Sequence, residues 1–286
     1  MDARISVFKR EIMTRQARTG CCRKNSQANS SYAFMQTLSH VISMIFFVLC
    51  GFTYVLCPAP ARAASFHIPE KLVYDLKWMG IKAGTASIEI INEEDTTKII
   101  SQAHSADFIS LFYKVEDRIE STLSQGSSLS PIQKPIKYRV KIREGRHRRD
   151  KEVIFDQGKG KALYFDYRND EEEEFKVPSP IFDPVSGFYY FRTLELVVGE
   201  PLYIKIFDNK KIWDVEVQVL RKETVTLPAG TFDTIVVKPL LKSEGIFSRK
   251  GEVHIWLTDD ERHIPVLVTL KVKIGHVSAT LVGGMY

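Results

Sequence analysis

KLVYDLKWMGIKAGTASIEII, residues 71–91, decides the fold class. Leu72, Tyr74, Leu76 and Trp78 alternate with Lys71, Asp75 and Lys77, the period of two expected of a strand with one buried face. Gly80 and Gly84 bracket a short turn, and Ala86, Ile88 and Ile90 then alternate with Thr85, Ser87 and Glu89. The stretch reads as a β-hairpin opening an antiparallel sheet.

The style continues downstream. Lys98 to Ala106 and Tyr113 to Thr122 read as strands, with Asp107 to Phe112 between them. Ser124 to Ser128 is a loop, and Pro131 and Pro135 keep that region out of a central strand. Tyr138, Val140 and Ile142 alternate with Lys137, Arg139, Lys141 and Arg143; Gly145 turns the chain and Lys151 to Phe155 returns. Lys161 to Tyr167 follows, ending in an acidic run, Glu171 to Glu174, that reads as an exposed loop. In the last third, Leu202 to Ile206, Trp213 to Val219, Phe232 to Lys238, Glu252 to Thr258, Ile264 to Ile274 and His276 to Leu281 are strands joined by short turns.

One helix interrupts the pattern. Asp183-Pro184 places an N-capping carboxylate before a proline at the first helical position, where its missing N–H is not needed. Phe188, Tyr189, Tyr190 and Phe191 follow, and the segment extends to about Leu196. The predicted architecture is all-β: a curved antiparallel meander, closing as a half-barrel, barrel or β-roll, with one short helix near 183–196. A sheet of this many strands must curl to bury its apolar face.

Charge and cysteine content divide the chain. Of 40 Lys and Arg, eight fall in residues 1–64, whereas of 35 Asp and Glu only Asp2 and Glu11 do, leaving 32 basic against 33 acidic residues from Ser65 onward. The net basicity belongs to the leader. All four cysteines (Cys21, Cys22, Cys50, Cys57) lie there too, so the body has no disulfide frame, thiolate metal site or cysteine nucleophile. Val41 to Cys57 is almost wholly apolar and is followed by Ala61-Arg62-Ala63, a small-x-small cleavage site. Residues 1–64 are read as a basic leader with a signal peptide cleaved near Ala63/Ala64, and 65–286 as a single all-β domain. An inner-membrane anchor through an uncleaved 41–57 is the alternative. Leucine before both Cys50 and Cys57 argues against lipidation.

Tyr74, Trp78, Gly80-Ile81 and Ala83-Gly84, with Asp183 and Arg192 around the helix, Gly199, and Pro228-Ala229-Gly230-Thr231-Phe232, form an ordered set. Trp256-Leu257-Thr258-Asp259-Asp260, Ile264-Pro265-Val266 and Gly275 complete it. From about Pro69 to Leu281 this resembles the bacterial domain of unknown function 3108 family. The resemblance implies an exported, β-rich protein of the Gram-negative envelope and supplies no catalytic residues.

No G-x-S-x-G, H-E-x-x-H, phosphate-binding glycine loop or G-x-G-x-x-G occurs. Asp259-Asp260-Glu261 offers paired carboxylates for a hydrolase on envelope polysaccharide, with Asp183 a further acid, but the composition is also that of an ordinary turn. His254, His263 and His276 have spacings that match no metal-ligand motif. The Lys137–Lys151 hairpin is the main charged feature: Arg139, Lys141, Arg143, Arg146, Arg148 and Arg149 are candidate contacts for anionic lipid headgroups or an acidic glycan. The plainer alternative is a solvated face whose charge discourages edge pairing. Phe188, Tyr189 and Tyr190 are candidates to line an acyl-chain cavity, or else fill the core. The expectation is a non-enzymatic exported domain, periplasmic or outer-membrane-associated, that binds a lipid, glycan or envelope protein partner. A hydrolase or purely structural adaptor is the alternative. No cofactor or metal is called for, and export removes nucleic acid as a partner.

Overall fold

In the computed structural model, residues 68–124, 132–240, 252–271 and 275–286 are described. The expected signal peptide, its cleavage site and the alternative anchor through 41–57 lie outside them. Glu70–Trp78 (β1) and Ile81–Glu93 (β2) form the opening hairpin, followed by Thr96–Ser105 (β3), a one-turn helix Asp107–Ser110 (α1) and Glu116–Ser124 (β4). Pro135–Glu144 (β5), His147–Asp156 (β6), Lys161–Asp166 (β7) and Glu171–Lys176 (β8) complete a first run of strands. Helix Pro184–Phe191 (α2) then leads to Leu202–Asp208 (β9), Lys211–Leu227 (β10), Gly230–Leu240 (β11), Val253–Thr258 (β12), Pro265–Lys271 (β13) and His276–Met285 (β14).

These strands make one antiparallel sheet in the order β8-β7-β6-β5-β4-β3-β2-β1-β14-β13-β12-β11-β10-β9. The chain winds outward from β1 to β8, crosses through α2, and winds back from β9 until β14 pairs with β1. The sheet rolls until its two edges face each other. Phe182, just before α2, pairs with β9: its N–H donates to the Lys205 carbonyl and its own carbonyl accepts from the Phe207 N–H. Across the same seam Phe175 of β8 packs on Phe207 of β9, with ring centroids 5.4 Å apart. The rolled sheet is how so many half-apolar strands bury one face.

The interior is filled by side chains. Tyr138, Val140, Ile142, Val153, Phe155, Tyr164 and Phe207 form one cluster, and Ile204, Val215, Val217, Val219, Ile235 and Leu257 another. Helix α2 lies between opposite walls: Tyr189 packs with Ile90, Ile99 and Leu123 of β2–β4, whereas Phe191 packs with the β9–β12 cluster.

Five local expectations are corrected. The helix ends at Phe191 rather than near Leu196, and a second helix, α1, occupies part of 107–112. Only Met79 and Gly80 form the first turn, both at positive φ (50° and 84°), as a two-residue hairpin turn requires. Gly84 is instead a mid-strand position: a Cβ there would sit 2.2 Å from the His104 carbonyl oxygen, so only glycine lets β2 and β3 pair at Ser105. Trp78, read as part of the buried stripe, is 44% exposed, because the ladder shifts register after Leu76 and the strand runs beyond the core. Glu171 to Glu174 is an edge strand, held by pairing with β7 and offset by Lys161 and Lys210.

Candidate functional site

The basic hairpin divides its charges between two faces. Pairing places Ile142 opposite Arg149, Val140 opposite Lys151 and Tyr138 opposite Val153, so Arg149 and Lys151 share the inward side with the core. Lys137, Arg139, Lys141 and Arg143 share the outward side with Arg148, Asp150 and Glu152. The period of two that the sequence shows on β5 continues onto β6, but the crowding of basic residues around the turn conceals which face each one takes.

On the outward side much of the charge is neutralised. Lys137 meets Glu152 at 2.9 Å, and Arg139 pairs with Asp150 and Glu152 while its guanidinium lies 4.6 Å over the Tyr167 ring. Toward the turn the cations become freer. Arg143 reaches Glu116 only at 3.9 Å, and Arg148 donates to the carbonyls of Gly145 and His147. Lys141 and Arg146 project into solvent. The predicted cluster therefore resolves into an ion-paired patch around Arg139 and an accessible group, Lys141, Arg143, Arg146 and Arg148, at the turn.

Arg149 and Lys151 serve the seam. Burial holds the Asp208 carboxyl above its ordinary range, a rise that the charges of Arg149 and Lys151 only partly oppose. Lys151 Nζ also donates to Asn209 Oδ1 at 3.1 Å, and Lys210 Nζ contacts Glu171 and Glu173 of β8 at 2.7 and 3.2 Å. Those two carboxylates hold the Lys210 ammonium above its usual range. Beside the turn, burial raises the Glu144 carboxyl and the neighbouring, hydrogen-bonded Asp117 carboxyl raises it further.

The helix aromatics have three different settings. Tyr189 is wholly buried and its hydroxyl donates to Glu70 Oε1 at 3.1 Å. Phe188 is partly buried against two interior clusters. Tyr190 stacks on Phe182 with centroids 4.5 Å apart and, with Tyr203 and Lys205, lines an open groove of about 270 Å³ beside the seam.

Helix α2 is fixed at both ends by buried polar groups. At its start Asp183 accepts from the Val185 and Ser186 N–H groups at 2.9 Å, and the Ser186 hydroxyl accepts from the Asp183 N–H. The hydroxyl of Ser121 on β4 donates to the same carboxylate at 2.6 Å. Burial raises the Asp183 carboxyl, and these hydrogen bonds oppose the rise. At the other end Arg192, 0% exposed, forms a two-pronged pair with Glu70, 2.8 Å on each prong, and donates to the carbonyls of Arg262 and His263. Burial alone would lower the Arg192 guanidinium, but Glu70 more than reverses this. Sequence reasoning singled out Asp183 and Arg192 and missed Glu70, which lies 122 residues before its partner and one residue before the quoted stretch.

The carboxylates of the proposed hydrolase are occupied by structural contacts. Asp259 pairs with Lys222 at 2.7 Å. Asp260 accepts from Thr258 Oγ1 at 2.6 Å and pairs with Arg262 at 2.8 Å; burial raises its carboxyl, but these partners bring it below the ordinary range. Among the described residues no three His, Cys, Asp or Glu side chains converge as a metal site, and no helix is long and apolar enough to cross a membrane.

Comparison with solved structures agrees with the rolled all-β architecture. A crystal structure of a beta-barrel-like protein of the domain of unknown function DUF1849 from Brucella abortus aligns with 76% of this chain and 97% of its own, at 10% identity and a TM-score of 0.50. Two weaker matches are a protein from Bacteroides fragilis, provisionally named as exported and described as having a YmcC-like fold (10% identity, 78% of this chain and 99% of that one, TM-score 0.32), and one from Parabacteroides distasonis, provisionally named a lipoprotein (13%, 76% and 94%, TM-score 0.31). No curated protein is detectably similar in sequence. The profile of one family, Protein of unknown function (DUF3108), matches residues 73–282, spanning the sheet from β1 into β14 and including the Asp183 cap and Arg192, and the chain belongs to that family.

Proposed function

We propose that this chain is an exported, non-enzymatic domain of the Gram-negative envelope, periplasmic or outer-membrane-associated, that binds an anionic envelope component through the turn of the basic hairpin. The observation that carries the reading is the accessible group Lys141, Arg143, Arg146 and Arg148 gathered at one turn. Arg143 and Arg148 keep guanidinium capacity for phosphate or carboxylate oxygens, and guanidinium binds such groups with two parallel hydrogen bonds. The basic, apolar leader with its small-x-small site supports export. The packed interior, with Tyr189 committed to Glu70, supports recognition on the surface rather than an acyl chain held inside the sheet.

The test is co-sedimentation of residues 65–286 with vesicles of phosphatidylglycerol and phosphatidylethanolamine, and in parallel with an acidic polysaccharide, at low and moderate salt. Charge reversal at Arg143, Arg146 and Arg148 to glutamate is expected to abolish binding to whichever probe is bound. Wild-type protein that binds neither probe overturns the reading.

A further inference from the structure

Half of the large apolar side chains that stand exposed in the described residues fall in two short segments. Trp78, Met79 and Ile81 lie at the β1–β2 turn; Phe108 lies in α1, and Leu111, Phe112 and Tyr113 directly follow it. Met79 is 56% exposed, Ile81 62%, Leu111 80% and Phe112 89%. They belong to one rim of the rolled sheet. The Ala106 N–H donates to the Ala83 carbonyl, which sets α1 against the start of β2. From the other side the Gly145 N–H donates to the Lys114 carbonyl, and the Tyr113 ring lies over Gly145, 2.7 Å from where a Cβ would sit. The basic turn and the apolar segments are therefore adjacent parts of one surface. Arg168 extends it, donating to the Arg148 carbonyl at 2.8 Å from the β7–β8 turn.

We propose that this rim seats the protein on an anionic bilayer surface, with Leu111, Phe112, Met79 and Ile81 entering the headgroup–acyl boundary while Arg143, Arg146, Arg148 and Arg168 contact lipid phosphates. The proposal rests on the anionic-ligand reading above and names its source as a membrane rather than a free glycan. A soluble fold gains nothing from holding Leu111 and Phe112 almost fully in water, and contiguous exposed apolar surface marks an interaction site. Its chemistry fits lipid. Trp and Tyr favour the membrane interface, and modest apolar insertion joined to a basic cluster is the two-part signal that stable peripheral attachment needs. The acids beside the arginines do not cancel this, and Asp107 on α1 is the exposed carboxylate nearest the apolar segment. Glu116 is engaged by Lys114 and Arg143, and Asp117 accepts from the Arg143 N–H and shares a hydrogen bond with Glu144. A protein partner would suit the apolar patch, but the guanidinium group beside it favours a dense array of phosphates.

The test uses residues 65–286 and phosphatidylglycerol/phosphatidylethanolamine vesicles. Two readouts separate insertion from charge attraction: the fraction bound at high salt, and quenching of tryptophan fluorescence by bromine-labelled acyl chains, with Trp78→Phe identifying the responding residue. Wild type is expected to keep a salt-resistant bound fraction and to be quenched. L111S/F112S should partition about tenfold or more weakly and lose that fraction. Binding that is fully reversed by salt, unquenched, and equal in L111S/F112S overturns the insertion while leaving the anionic-ligand reading standing. Binding to the acidic polysaccharide alone overturns the membrane assignment, and binding to neither probe removes both proposals.

Discussion

The two ends of the rolled sheet are built on opposite principles. At the end where the β12–β13 turn meets α2, polar groups are drawn inside: Arg192 and Glu70 are buried, and the carbonyls of Arg262 and His263 are used as acceptors. At the end formed by the β1–β2, β3–β4 and β5–β6 turns, apolar groups stand outside beside the exposed arginines Arg143, Arg146 and Arg148. The first arrangement lowers the free energy of the fold only if every polar atom finds its partner. The second leaves apolar side chains in water, where burial adds little to the fold, and on the proposal above it serves as a binding surface. Stability and binding should therefore respond to substitution at different ends.

The largest separation is expected at Arg192. Truncation by Arg192→Ala leaves the Glu70 carboxylate buried without its ion pair, and loss of one member of such a pair costs about 3–5 kcal/mol. Urea unfolding should show it as a large fall in midpoint. The paired replacement Glu70→Leu/Arg192→Met removes both charges and should recover most of the loss, since the two ions are stable only together. Neither variant touches the rim, so vesicle binding by the folded protein should match wild type. Next in size is Asp183→Ala, which removes the helix cap and leaves Ser121 without its acceptor. It should cost about 2 kcal/mol, with Asp183→Asn, which keeps a capping oxygen, costing less.

How far these two ends could be read from sequence differs for a physical reason. Strands with one buried face write a period of two along the chain, so Leu72, Tyr74, Tyr138, Val140 and Ile142 announced themselves. The helix start was equally plain, because Asp-Pro capping chemistry is local. What stayed hidden was set by partners distant in sequence. Glu70 gains its meaning from Arg192, and Glu171 to Glu174 becomes a strand because β7 and the lysines Lys161 and Lys210 receive it. The rim was hidden most fully. Leu111 and Phe112 look like ordinary core candidates between two strands, and only the fold shows that α1 lifts them away from the sheet.

A smaller effect at the structural end concerns His263. Burial lowers its imidazole, the Arg192 carbonyl at 2.8 Å from Nδ1 opposes that, and the Asp260, Arg192 and Asp259 charges act in alternating directions. Above about pH 6.5 the ring is neutral folded and unfolded, so it adds no pH dependence. Below that pH the unfolded chain takes up the proton first, so stability falls until the lowered folded value is also passed. Asparagine tolerates the positive φ of 43° at this position and does not titrate, so His263→Asn should flatten that part of the stability–pH curve. A wild-type slope unchanged in the variant would move the proton to another group.

The smallest expected effect bears most directly on the comparison. At Leu111 and Phe112, 80% and 89% exposed, replacement by serine removes side chains that the folded state already leaves in water. The transfer free energy that makes core truncations costly is absent there, because folded and unfolded chains expose nearly the same surface. L111S/F112S should therefore unfold within about 0.5 kcal/mol of wild type, the ordinary range for surface substitutions. A loss of 2 kcal/mol or more, the order seen when a buried leucine is truncated, would mean that these residues pack against the domain and serve the fold. The rim would then be a second structural end and the contrast would collapse. Unchanged stability, set beside a vesicle affinity that drops about tenfold, gives the rim a role that folding cannot explain.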